Sequence, residues 1–233
     1  MKKITFQLIR FIQCNVISFR ALITNILLLI AIVGHAEKLV WPATDPDKWL
    51  LAFVDIETTG LIPGYHEMID IGIVISDLEG IEIDELFLRI QPEFPERTDD
   101  GARAINAFDN QRWKDLGAFS ESEAIERIIT FHKEVSVDKN VLMVAYNSHF
   151  DLGFLDHLFR KQKRSWRELY HYYVLDLPSM AWSMGIRGLT GSAVSSFLGI
   201  VDETHIPEMH TGITGARFNA DVYRALLDIK IKD

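Results

Sequence analysis

The chain has 233 residues, 48% of them hydrophobic and 24% charged, and it shows no repeat, low-complexity tract or long Pro- or Gly-rich linker. One well-cored domain with an appendage is therefore expected, and disorder is not. The formal charge of -9 disfavours the broad basic face that long nucleic acid requires. Cys14 is the only cysteine and falls in the segment read next as an export signal, which excludes disulfides, zinc-cysteine sites and a cysteine nucleophile from the rest of the chain.

Residues 1–36 carry Lys2, Lys3, Arg10 and Arg20 but no acidic residue, and they include the apolar run 21–33 followed by the small residues Gly34 and Ala36. This pattern predicts a signal peptide, a mature chain beginning near Glu37, and an exported (periplasmic or secreted) protein. The run is short for a membrane span, which needs about 20 residues. An uncleaved anchor through residues 21–33 stays open as the alternative, because the basic region is long and Asn25 interrupts the apolar segment. Cleavage would leave no stable membrane partner and, by removing four bases and no acid, would change the formal charge from -9 to -13. Nothing in the sequence sets the oligomeric state.

Residues 37–49, with Pro42 and Pro46, form a lead-in, and residues 50–233 form the domain. The apolar run 49–54 predicts a buried strand, and two more strands are expected over 68–75 and 81–90, separated by a hairpin-type turn at 76–80. Helical spacing follows over 102–108 and 122–133, then an apolar strand over 141–146 and an amphipathic helix over 151–163. A short strand at 173–175 and helices at 178–184, 192–198 and 215–229 complete the order. Three antiparallel strands open the domain, and strands then alternate with helices.

In the string Phe53-Val54-Asp55-Ile56-Glu57-Thr58-Thr59-Gly60-Leu61, the pleat points both carboxylates to one face. Two unit charges about 4 Å apart cost roughly 4 kcal/mol at an effective dielectric of 20. A divalent cation is the natural partner, and hard oxygen ligands favour magnesium or manganese. The structural alternative is a strand end with two solvated acids. A second string, Tyr146-Asn147-Ser148-His149-Phe150-Asp151-Leu152-Gly153-Phe154-Leu155, places Asp151 at a strand-to-helix junction facing Asp55. Ser148 and Asp151 could also serve as a capping-box pair, and capping and ligation are compatible.

With these two strings the chain resembles the DEDD superfamily of 3′-to-5′ exonucleases, in the histidine-base branch that includes polymerase proofreading subunits. The resemblance covers residues 51–227, with weaker landmarks at Leu175-Asp176 and in the stretch 189–200. It implies an α/β, ribonuclease-H-like fold, with a mixed five-stranded sheet of three antiparallel strands followed by parallel ones, flanked by helices. Asp55 and Glu57 fall on the family's first motif and Asp151 on its second. The third motif is a histidine, four residues, an aspartate and a helix continuing Ala-Arg. Here it reads His210-Thr211-Gly212-Ile213-Thr214-Gly215-Ala216-Arg217, with Gly215 in the place of the fourth acid. Asp221, six residues on and roughly 240° around a helix, points elsewhere.

The implied chemistry is hydrolysis of single-stranded or short DNA or RNA to nucleoside monophosphates with two divalent cations, Mg2+ or Mn2+. Asp55, Glu57 and Asp151 would be metal ligands and His210 the general base. Thr58, Leu61, Phe154 and Arg217 would bind substrate, with Leu61 and Phe154 against the terminal base; the structural alternative for these two is core packing. Gly215 leaves one cation short of a ligand. Natural loss of activity, rescue by water or a nearby acid such as Glu208, and alteration of an active parent are three explanations, and a nuclease fold that binds nucleic acid or a protein partner without hydrolysis is the alternative function. The one dense basic run, Arg160, Lys161, Lys163, Arg164 and Arg167, is either a solvated helix end or a phosphate-contacting surface.

Overall fold

A computed structural model describes residues 41–229; the expected export segment lies outside them. Five strands, β1 (Trp49–Thr58), β2 (Met68–Ser76), β3 (Glu82–Arg89), β4 (Asn140–Ala145) and β5 (Val174–Asp176), form one sheet in the order β3-β2-β1-β4-β5. The β1/β2 and β2/β3 pairs are antiparallel, and the β1/β4 and β4/β5 pairs are parallel. The antiparallel opening is the one the order of elements predicted, and the mixed five-stranded sheet is the one the family resemblance implied.

Among the described residues seven α-helices connect or flank the strands: α1 (Asp100–Asn106), α2 (Asn110–Asp115), α3 (Glu121–Val135), α4 (Ser148–Lys161), α5 (Leu177–Ser183), α6 (Gly191–Leu198) and α7 (Gly212–Leu227). The six-residue α2 was not anticipated, since so short an element shows no period. Strand β1 runs four residues beyond the apolar stretch 49–54, because its acidic end still has a partner. Glu57 pairs in register with Asp70 before a bulge at Thr58 breaks the ladder.

The pleat divides β1 between two faces. Leu50, Ala52, Val54 and Ile56 enter one core with Ile125, Ile128 and Ile129 of α3 and Leu155, Leu158 and Phe159 of α4. Residues 51, 53, 55 and 57 therefore face the other side, where α7 lies. There Phe53 meets the Tyr223 ring at 5.4 Å, and the Asn219 side-chain amide donates to the Val54 carbonyl at 3.0 Å.

Helix α4 starts at Ser148 rather than at residue 151. Asn147 turns the chain out of β4 in the left-handed region at φ 59°, a conformation that asparagine tolerates better than most residues. The Ser148 N–H then donates to Asp176 Oδ1 at 3.1 Å. Asp176 at the end of β5 thus holds the first turn of α4, in place of the expected Ser148 and Asp151 capping pair. Its other oxygen accepts from the Ser179 N–H at 3.2 Å and caps α5.

Helix α7 starts three residues earlier than the spacing predicted, at Gly212, because glycines let it touch the sheet backbone. A Cβ on Gly72 of β2 would overlap the Gly212 and Ile213 backbone, and a Cβ on Gly212 would lie 2.6 Å from the Asp55 carbonyl oxygen. The Gly212 N–H donates to Asp70 Oδ1 at 2.8 Å. Replacing Gly72 with alanine must push α7 outward, and overpacking of this kind costs about 1–3 kcal/mol. Chemical denaturation of Gly72→Ala is expected to show that loss, and wild-type stability would show that the close contact is dispensable.

Candidate active site

The end of β1, the first turn of α4 and the segment leading into α7 meet at one cavity of about 220 Å³. It is lined by Asp55, Glu57, Asp151, Glu203 and His210 among others. The sequence reading named four of these five. Glu57 and Asp151 are almost wholly buried, with 7% and 2% of their surface exposed. Asp151 takes a backbone hydrogen bond from Ile56, between the two acids of β1. Glu57 Oε2 accepts from the Asn106 side-chain amide at 3.2 Å, and the same amide donates to the Thr58 carbonyl at 3.0 Å. Asn106 on α1 gave no signal in the sequence.

His210 is the only basic side chain lining this cavity among the described residues. Its Nδ1 lies 2.9 Å from the Thr204 carbonyl. A carbonyl can only accept, so Nδ1 carries the proton and Nε2 is the nitrogen that exchanges one. Nε2 lies 3.2 Å from Glu57 Oε1, close enough for one proton to lie between them.

Two acids were missed. Asp70, fully buried on β2 beside Glu57, keeps one carboxyl oxygen without a hydrogen-bond partner. Its signal was available: it is the one charge within the apolar run 68–75, where charged residues are rarely buried unless paired. Glu203 reaches the cavity from the segment before His210, with 18% of its side chain exposed.

The electrostatics follow from this crowding. Burial, and after it Asp151, Glu57 and Glu203, pushes Asp55 well above the ordinary carboxylate range. Burial and then Asp70 push Glu57 up to about 9, against the pull of the Asn106 hydrogen bond. Burial pushes Asp70 up to about 7, opposed by the Gly212 N–H. Burial also raises Asp151 and Glu203, the latter opposed first by His210. These are desolvated hard-oxygen donors with too little positive charge nearby, a donor set that suits Mg2+ or Mn2+. Among the described residues no three His, Cys, Asp or Glu groups already converge tightly enough to hold an ion, so the donors fit in kind and closing around a cation requires side-chain rotation.

Gly215 on α7 lies directly against Asp55. A Cβ there would overlap the Asp55 carboxylate. The position that the register aligned with the fourth acid thus stands beside Asp55, and a side chain there would require the Asp55 carboxylate to move. Asp221 is exposed and paired with Arg224, and Glu208 is exposed and lines neither this cavity nor its neighbour.

The expected substrate contacts separate. Thr58 lines the cavity and its hydroxyl donates to the Gly60 carbonyl at 2.7 Å. Leu61, 75% exposed, stands at the cavity with Ile105. Phe154 does not reach it. That ring is 2% exposed in the core and packs on Phe150 at 5.0 Å, and Phe150, one turn earlier on α4, is the aromatic side chain lining the cavity along with Tyr146. Arg217 points along the outer face of α7 to a two-pronged pair with Glu85 of β3. The basic run is largely engaged in the fold: Lys161 joins Glu67, Glu93 and Glu121, Arg160 pairs with Asp156, and Arg164 bridges Glu126 and Glu168.

The raised carboxyls make stability depend on pH with a defined sign. A folded-state value above the unfolded one means that folding takes up protons. That contribution is complete below about pH 4 and is lost as pH rises, here through the values of about 7 for Asp70 and about 9 for Glu57. Thermal melts in EDTA are expected to show Tm falling from about pH 5 to about pH 9, and Mn2+ is expected to flatten the fall. Parallel curves with and without Mn2+ would show that the acids do not meet the ion.

The family model described as Exonuclease (RNase T) matches residues 52–191, more than half of the chain. Among solved structures, the zinc ion bound form of the E. coli exonuclease I–ssDNA complex aligns with a TM-score of 0.61 at 15% identity, over 77% of this chain and 40% of that one. Exonuclease I from Methylocaldum szegediense aligns with a TM-score of 0.62 at 20% identity, over 76% and 40%. The nuclease domain of 3′hExo, a DEDDh family member bound to rAMP, aligns with a TM-score of 0.63 at 15% identity, over 77% and 92%. The chain spans about two fifths of the length of the exonuclease I structures, and at such identities the likeness is one of fold. No curated protein matches the chain in sequence.

Proposed function

The chain belongs to the RNase T exonuclease family and has the ribonuclease-H-like fold of the DEDD-type exonucleases, and from that premise we propose that it is a metal-dependent 3′-to-5′ exonuclease acting on single-stranded or short nucleic acid. The observation that carries this reading is the single cavity lined by Asp55, Glu57, Asp151 and His210. Three carboxylates and an imidazole on three separate elements, in the positions of the family motifs, have no structural need to meet in one opening.

Asp55, Glu57 and Asp151 would hold the divalent cations, Mg2+ or Mn2+. Bound there, such ions neutralise charge on the attacking and leaving oxygens of a phosphodiester. The chain's own residues do the rest. His210 keeps its Nδ1 proton on Thr204, so Nε2 takes a proton from the attacking water when Glu57 turns away from it. Leu61, Ile105 and Phe150 give the cavity an apolar side on which a terminal base can stack. The acidic composition and the engaged basic run favour short substrates over long duplexes. The basic and apolar pattern of residues 1–36 supports export, which sequencing of the mature N-terminus tests.

Gly215 favours a second reading, a nuclease fold that binds nucleic acid or a protein partner without cleaving it. Incubation with 5′-labelled oligonucleotides and Mn2+ separates the two. Wild type is expected to give a ladder of shortened labelled products, and His210→Ala is expected to be slower by about 10² to 10⁴. Gly215→Asp, whose new side chain would overlap Asp55, is expected to be less stable and no faster than wild type. Absence of product from both folded wild type and folded Gly215→Asp would sink the nuclease reading, and activity confined to Gly215→Asp would identify a disabled enzyme.

A further inference from the structure

We propose that Glu203 supplies the fourth carboxylate of the site, in place of the side chain that Gly215 lacks. This rests on the exonuclease reading and identifies which residue of this chain completes the cation site.

Gly215 gives α7 no acid at this turn, and a Cβ there would have to displace the Asp55 carboxylate, so the candidate for a fourth carboxyl is a side chain that already reaches in from another element. Glu203 does so from the segment between α6 and α7. That segment is fastened to α6 one residue earlier: Asp202 Oδ1 accepts from the Ser195 hydroxyl at 3.2 Å and from the Glu203 N–H at 3.0 Å, and Asp202 Oδ2 lies 3.0 Å from His205 Nε2. With its backbone held, the Glu203 side chain turns inward. Its Oε1 lies 3.3 Å from the Thr214 hydroxyl and 3.4 Å from His210 Nδ1. Thr214 directly precedes Gly215, so the carboxyl sits beside the turn of α7 from which the missing aspartate would project.

Glu203 also borders both openings around Asp55. A second cavity of about 350 Å³ lies next to the first, and Asp55, Tyr146 and Glu203 line both. Asp55 and Glu203 thus belong to their shared wall, and the charge of Glu203 is felt at Asp55 and at Glu57. Asp70 and Asp151 are felt there too, but beyond Asp55 itself Glu203 is the only acid among the described residues that lines both cavities: Asp70 lines neither and is tied to the Gly212 N–H, and Asp221 and Glu208 are exposed. A glutamate on a loop has a longer and less rigid arm than an aspartate on a helix, so it can supply an oxygen ligand without α7 moving. Hard cations bind more tightly as charged oxygen ligands are added.

The test is Mn2+ binding to the full-length chain, without substrate, by isothermal titration calorimetry with bound Mn2+ counted by electron paramagnetic resonance. Wild type is expected to bind two Mn2+ per chain. Glu203→Gln is expected to lose one of them, or to bind it at least about tenfold more weakly, and Glu208→Gln in the same loop is expected to bind as wild type does. Circular dichroism melting in EDTA establishes that Glu203→Gln is folded. Should it not fold, Glu203→Asp, with the charge kept and the arm one methylene shorter, is expected to weaken the same Mn2+ several-fold. Wild-type stoichiometry and affinity in the folded Gln variant, or in the Asp variant where that one is used, would overturn the proposal. Absence of Mn2+ binding by wild type would overturn the exonuclease reading beneath it, a result distinct from the other.

Discussion

Like charge gathered where β1 ends is the constraint to which the rest of the structure answers. Asp55, Glu57, Asp151 and Glu203 share one cavity, with Asp70 buried behind Glu57 and His210 the only base lining the opening among the described residues. Each pair of ionised carboxyls about 4 Å apart would cost roughly 4 kcal/mol at an effective dielectric of 20, on the scale of a small domain's whole stability. Without a cation, burial and crowding favour the protonated forms, the direction in which Asp55, Glu57 and Asp151 are all pushed. The Asn106 amide, the Gly212 N–H and the Ile56 backbone soften what remains.

The second constraint is the close approach of α7. Gly72, Gly212 and Gly215 remove the side chains that would hold helix and sheet apart, and the helix comes to rest with its first N–H on Asp70 and its second turn on Asp55. This contact fixes the segment that precedes the helix, and so the height at which His210 faces Glu57. It also explains why a glycine can stand at the fourth acidic position without leaving a hole. The Asp55 carboxylate lies where a Cβ at this position would begin.

Much of this was legible in the sequence because it is local. An apolar strand ending in Asp55-Ile56-Glu57 and a strand-helix junction carrying Asp151 each contain their own geometry, set by the pleat and by the helix start. The strands were legible for the same reason, from runs of apolar residues and the turn at 76–80, whereas their order in the sheet, which depends on non-local pairing, was not. What escaped depends on tertiary placement. Phe150 and Phe154 lie one turn apart on the same helix, and only the depth of α4 in the core decides which ring meets the cavity. Asn106 and Glu203 sit 49 and 7 residues from the site groups they serve, Glu57 and His210, with no spacing rule to connect them. Glu208 was named as a nearby acid from sequence distance alone; the loop turns it outward and turns Glu203 in. Arg217 matched a motif position, yet Glu85 on the neighbouring β3 engages it instead.

The claim that these acids hold protons in wait for a cation is tested most directly by calorimetric titration of Mn2+ into wild-type protein at neutral pH, in buffers of different ionisation enthalpy. Because ligands must ionise to bind a metal, release of about one proton or more per chain is expected. Binding with no proton release would contradict it, since the carboxylates would then already be ionised and the crowding at the end of β1 would have been met in some other way.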